Sequence, residues 1–79
     1  MNFVALIGLI THIENVKNQK YIKMEINSSN QSPKIAKIII NEENSDLFKE
    51  ISLGVIIGIN GFVDFSNSNN IVLKNYTLI

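Results

Sequence analysis

Residues 3–13 read FVALIGLITHI. A strand that covers one core alternates apolar and polar side chains, because successive residues point to opposite faces. This stretch does not alternate. Phe3, Ala5, Ile7 and Leu9 form one row, and Val4, Leu6, Gly8 and Ile10 form the other. Only one of these rows can line the interior of a small barrel. The other needs a cover of its own.

Working outward, residues 14–20 (ENVKNQK) form a polar turn. YIKMEIN at 21–27 does alternate, with Ile22, Met24 and Ile26 on one face and Tyr21, Lys23 and Glu25 on the other. That is a half-buried strand. A loop over 28–33 leads to a third strand at 34–41 (KIAKIIIN), whose faces the pattern leaves open. Ser45 followed by Asp46 suits a helix start, and Leu47 and Ile51 are four apart, so a short helix is expected near 44–51 with both facing inward. Gly54 suits a positive φ at the restart of the chain. A fourth strand at 55–65 carries Gly58 and Gly61, which mark a bend, a bulge or a close backbone approach. After a turn at 66–70, residues 71–79 form the last strand.

The order β-β-β-α-β-β predicts an all-β fold. It is a closed five-stranded barrel with a short helix between strands 3 and 4, the oligonucleotide/oligosaccharide-binding (OB) topology, in one domain over residues 1–79. A half-open sheet with one helix is the alternative.

Composition bounds the function. The chain has 79 residues, 46% hydrophobic, enough for one small core and too apolar for a disordered segment. It has no Cys, which excludes disulfides and thiolate metal sites. No signal peptide or membrane-length apolar run is visible, so a soluble, cytoplasmic protein is expected. Seven Lys balance seven acidic residues and Arg is absent, so no overall basic excess marks a nucleic-acid binder. No Ser/His/Asp signature or phosphate-binding glycine loop is present, and no enzyme activity or cofactor is expected. His12 and Glu14 lie two apart without further ligands, so no metal site is expected and His12 reads as a rim residue.

Three segments carry a resemblance. MNFVALIGLIT, DLFKEISLGVIIGINGFV and NIVLKNYTLI, in this order and spacing, resemble the bacterial single-stranded DNA-binding protein family. The resemblance implies that first strands of two subunits pair across a dimer axis, and that subunits assemble as dimers or tetramers. The surplus row Phe3, Ala5, Ile7 and Leu9 would then be the oligomer interface, with Leu9 standing where the family carries Arg. An exposed apolar row on so small a domain favours association on physical grounds as well.

Single-strand binding needs aromatic platforms for bases and cations for phosphates. Five of the seven lysines, Lys17, Lys20, Lys23, Lys34 and Lys37, fall in or beside strands two and three, the front of such a barrel. Glu42, Glu43, Asp46 and Glu50 gather around the helix. Tyr21 is the leading stacking candidate and Phe62, which shares a face with Asn60 and Asp64, the second. Phe3 fits the interface row, Phe48 the core and Phe65 a cap on the barrel, while Tyr76 suits either surface or core. The resemblance also places Lys34 where the family often has Trp and Ile40 where it often has Phe. The family's acidic C-terminal tail, which recruits partners, is not expected here, since no such segment follows the last strand read from the sequence. The expected function is therefore single-stranded DNA binding, with RNA an open alternative, accessory to replication or repair. The rival readings are a primosome-like accessory protein and an interaction barrel without nucleic acid.

Overall fold

The computed structural model describes residues 2–26, 32–66 and 70–79. Asn27, most of the loop expected over 28–33 and the centre of the turn expected over 66–70 lie outside them. The strands are β1 (Phe3–Val16), β2 (Gln19–Ile26), β3 (Lys34–Ile40), β4 (Ile56–Asp64) and β5 (Asn70–Leu78). A 3-10 turn at Glu42–Asn44 and one α-helical turn, α1 (Leu47–Glu50), join β3 to β4. The strands close into a barrel in the order β1-β2-β3-β5-β4, with β3 and β5 parallel and every other pair antiparallel. This is the expected OB topology.

The length of β1 lets one strand serve two neighbours. Phe3–Leu9 pairs with β4, and Leu9–Val16 pairs with β2, apart from one irregularity at Thr11. Val4, Leu6, Gly8 and Ile10 take the inward row, as the closed barrel requires. A bulge at Thr11 then shifts the parity, so that Ile10 faces Met24 and Ile13 faces Ile22. The Thr11 hydroxyl donates to the Lys23 carbonyl at 3.2 Å, beside the irregularity. One extra residue thus keeps both halves of β1 facing the same core.

The hairpin between β1 and β2 is tighter than expected. The strands pair through Val16↔Gln19, and only Lys17 and Asn18 turn, both with positive φ (52° and 64°). Two successive positive φ values match a type I′ turn, whose twist suits a hairpin. Polar side chains at the hairpin end hide the strand pattern that the backbone keeps.

The pairing of β3 settles its faces. Ala36, Ile38 and Ile40 lie opposite Met24, Ile22 and Lys20, and Ile38 and Ile40 are buried. Ile35, Lys37 and Ile39 therefore point outward. Ile10, Ile22, Met24, Ile38, Ile57 and Leu73 fill the barrel, each fully buried. Burying a side chain of this size contributes about 1.5–3 kcal/mol.

Leu47 and Ile51 close one end of the barrel from α1, as their spacing predicted. The helix is shorter than expected, and Ser45 does not cap it. Its N-cap is Asp46, which makes no side-chain cap bond. Asn44 anchors the segment instead, donating to Asn41 Oδ1 at 3.0 Å and to the Lys74 carbonyl at 3.3 Å. A single turn holds its shape through tertiary packing rather than helix propensity. Gly54 has the expected positive φ of 86°. A second bulge falls where Asn60 pairs with Asn75 and Gly61 with Leu73, leaving Lys74 as the extra residue of β5.

Candidate nucleic-acid interface

Tyr21 points outward from β2. Its hydroxyl donates to the Glu14 carboxylate directly across the β1–β2 ladder. The Lys37 ammonium of β3 lies 4.2 Å from its ring centroid, within cation–π range. The bond to Glu14 raises the Tyr21 pKa first, partial burial adds to it, and the charge on Glu14 adds last. The neutral phenol is thus held at neutral pH. Lys23 stands opposite Lys37 in the β2–β3 ladder.

The other lysines named from the sequence do not join this face. Lys20 pairs with the buried Ile40, and its ammonium sits 5.7 Å from the Phe48 ring at the helical end. Lys34 pairs with Ile26 on the inward row, where the row runs out at the opposite mouth of the barrel. Lys17 lies in the hairpin turn. Of the five lysines, only Lys23 and Lys37 share the outward face with Tyr21. Glu14 and Glu25 lie on that face too, so its charge is mixed. Ile40, at the position where the family often has Phe, is buried and offers no platform.

Phe62 belongs to a different group. It packs against Phe3 in a T-shaped pair, with ring centroids 5.2 Å apart and planes at 78°. The Lys74 ammonium lies 5.6 Å from the Phe62 ring and 5.8 Å from the Phe3 ring. Phe48 packs against the core, as expected. Phe65 does not cap the barrel: it is 64% exposed in the turn after β4. Tyr76 packs against the core and donates to Glu50 at 3.1 Å. Burial raises its pKa first, and the Glu50 bond adds to it. His12 is exposed, with Nδ1 3.0 Å from the Thr11 hydroxyl.

The two groups are joined by register. Tyr21 pairs with Ile39, Ile39 with Val72, Val72 with Phe62, and Phe62 with Phe3. One outward-facing belt therefore crosses β2, β3, β5, β4 and the start of β1. Its centre is aliphatic, and each end carries an aromatic with a lysine over it. Sequence reading missed the Lys74 contribution. The available signal was the one charged residue of β5, beside the register shift at Gly61 that re-aims it.

The rest of the surplus row faces outward as well. Ile7 is 63% exposed and Leu9 38%, beside Ile56 of β4 at 47%. Gly58, opposite Ile7, leaves a notch between Ile7 and Ile79. Ala5 faces Asn60, which donates to Asn75 Oδ1 at 2.7 Å. That polar pair separates Phe3 from the aliphatic patch. Among the described residues no helix is long and apolar enough to cross a membrane.

No protein-family model matches the chain, and no curated protein matches it. Solved structures do. The mitochondrial single-stranded DNA-binding protein Rim1 from S. cerevisiae superposes with a TM-score of 0.83 at 13% identity, covering 99% of this chain and 93% of that one. A small single-stranded DNA-binding protein from Streptomyces coelicolor gives 0.72 at 8% identity, covering 100% and 96%. The N-terminal domain of PriB from Thermoanaerobacter tencongensis, described as dimeric, gives 0.71 at 18% identity, covering 99% and 96%. At these identities the shared property is the OB fold.

Proposed function

We propose that this protein binds single-stranded DNA as an accessory factor in cytoplasmic replication or repair. The observation that carries the reading is the Lys37 ammonium over the outward Tyr21 ring. It joins a base platform to a phosphate partner on the β2–β3 face of an OB barrel. Tyr21 stacks a base, and Lys37 and Lys23 hold phosphates. The likeness to proteins described as single-stranded DNA-binding supports the reading. A face of mixed charge makes the binding weak and salt-sensitive.

Self-association belongs to the same reading. Ile7, Leu9 and Ile56 form an exposed aliphatic patch that a second copy covers by a two-fold contact. The likeness to a PriB domain described as dimeric supports self-association.

Fluorescence anisotropy tests the proposal, using labelled oligo-dT of about 30 nucleotides, longer than the roughly 4–16 nucleotides one barrel covers. Binding at low salt that weakens steadily as salt rises supports it. Absence of binding at low salt overturns it in favour of an interaction barrel. Tighter binding of oligo-U than oligo-dT reassigns the ligand to RNA.

A further inference from the structure

We infer that Phe3, Phe62 and Lys74 form a second contact site for the single strand, so that the strand crosses the β3–β5 seam along the belt from Tyr21 to Phe3. The inference rests on the single-strand reading above and extends it to the opposite flank of the barrel.

The belt has a repeated design about its centre. β3 and β5 are adjacent, and Ile39 and Val72 meet there in register. From β3, Lys37 leans outward over Tyr21 on the neighbouring β2. From β5, Lys74 leans outward over Phe62 on the neighbouring β4, and on over Phe3. Each flank thus offers an aromatic surface for a base and an ammonium for the adjoining phosphate. The aliphatic floor between them excludes water without competing for hydrogen bonds. Tyr21 and Phe62 are three strand spacings apart, about 14 Å along the sheet, and Phe3 one spacing further. A single strand offers stacking faces and phosphates at every nucleotide and so can engage both flanks at once.

The named charges balance on both flanks, Lys23 and Lys37 against Glu14 and Glu25 on the first and Lys74 against Asp64 on the second, but their arrangement differs. Tyr21 shares its surroundings with Glu14 and Glu25, whereas the only carboxylate near Phe62 on its outward row, Asp64, accepts from the Ser66 amide and hydroxyl (3.1 and 2.6 Å). Lys74 forms no ion pair among the described residues. Phe3 is 49% exposed, and its neighbour in the outward row is Ala5 beside the polar Asn60–Asn75 pair. Phe3 therefore belongs with the aromatic group rather than with the Ile7–Leu9 patch.

The test measures oligo-dT anisotropy for Phe3→Ala and Lys74→Gln beside wild type and Tyr21→Ala, with mass by light scattering and folding by circular dichroism. Phe3→Ala is expected to weaken binding roughly fivefold or more at unchanged mass. Lys74→Gln is expected to reduce the slope of log affinity against log salt by about 0.7, the share of one phosphate contact on a single strand. If both bind like wild type while Tyr21→Ala weakens, the second site is overturned and the single-strand reading stands. If Phe3→Ala lowers the mass and Lys74→Gln is silent, Phe3 is a subunit contact and the inference is overturned. If wild type itself does not bind, the broader reading fails and this one falls with it.

Discussion

The two halves of β1 have the same inward face and opposite outward faces. Before the Thr11 bulge the strand pairs with β4, and its outward row carries Ile7 and Leu9 in the open. After the bulge it pairs with β2, and its outward row carries His12 and Glu14. The inward residues of both halves answer to one core, so they look alike. The outward residues answer to whatever meets them. An aliphatic face exposed on a small barrel suits another protein surface, and a polar face threaded with aromatics suits water and a charged ligand. Apart from Phe3 at its start, which joins the aromatic belt, the strand thus separates assembly from binding, and one inserted residue marks the division.

Substitutions along β1 and its partners break or sharpen this contrast. The largest effect belongs to the junction. A Cβ on Gly8 would stand 2.6 Å from the Glu25 carbonyl oxygen and 2.7 Å from Met24 Cε. Gly8→Val must push β1 away from β2, and a loss of about 3 kcal/mol is expected in urea unfolding. Near wild-type stability would mean that the two halves are not held rigidly at this point. Next, Tyr21→Ala is expected to cost about 2 kcal/mol of oligo-dT affinity with the mass unchanged. A change in mass instead would erase the separation of the two roles. Leu9→Arg should do the reverse, weakening self-association at least tenfold, about 1.4 kcal/mol, by light scattering across a dilution series. An unchanged mass would leave the aliphatic half of β1 without its assigned cover.

The smallest expected effect is on the phenol. The Tyr21 pKa lies above the ordinary tyrosine value, chiefly through the bond to Glu14. Glu14→Gln, in a Tyr76→Phe background, should move it down in an ultraviolet titration. A raised phenol pKa supports the fold below the unfolded value and stops doing so as pH climbs through the folded one. Stability between pH 6 and pH 8 should therefore not respond to this group.

The two rows of β1 were legible because the pleat of a strand fixes which residues share a face even where hydropathy does not alternate. The order of elements followed from turn residues and from the switch to helical spacing at Leu47 and Ile51. The Thr11 bulge was not legible, whereas Gly61 marked the place of the second one without showing that Lys74 is its extra residue. Thr11 and Lys74 each fit an alternating pattern as well as they fit a bulge, and only the ladder to the next strand shows which holds. The same limit misplaced the lysines. Lys20 and Lys34 sit on inward rows, where a long aliphatic stem can lie along the barrel end while the ammonium reaches water. Adjacency in sequence to Tyr21 and Lys37 suggested a common face that the strand pleat denies.

The seam between β3 and β5 has a mechanical consequence. Among the described residues only Ile38↔Ile71 and Ile39↔Val72 pair across it, whereas β1–β2, β2–β3, β1–β4 and β4–β5 each pair seven or eight residues. It is the shortest of the described pairings, and local opening of the barrel is expected to start there. A strand laid over Ile39 and Val72 spans that closure like a staple. Amide exchange at the seam should then slow on binding more than exchange in the long ladders, making the ligand a part of what keeps the barrel shut.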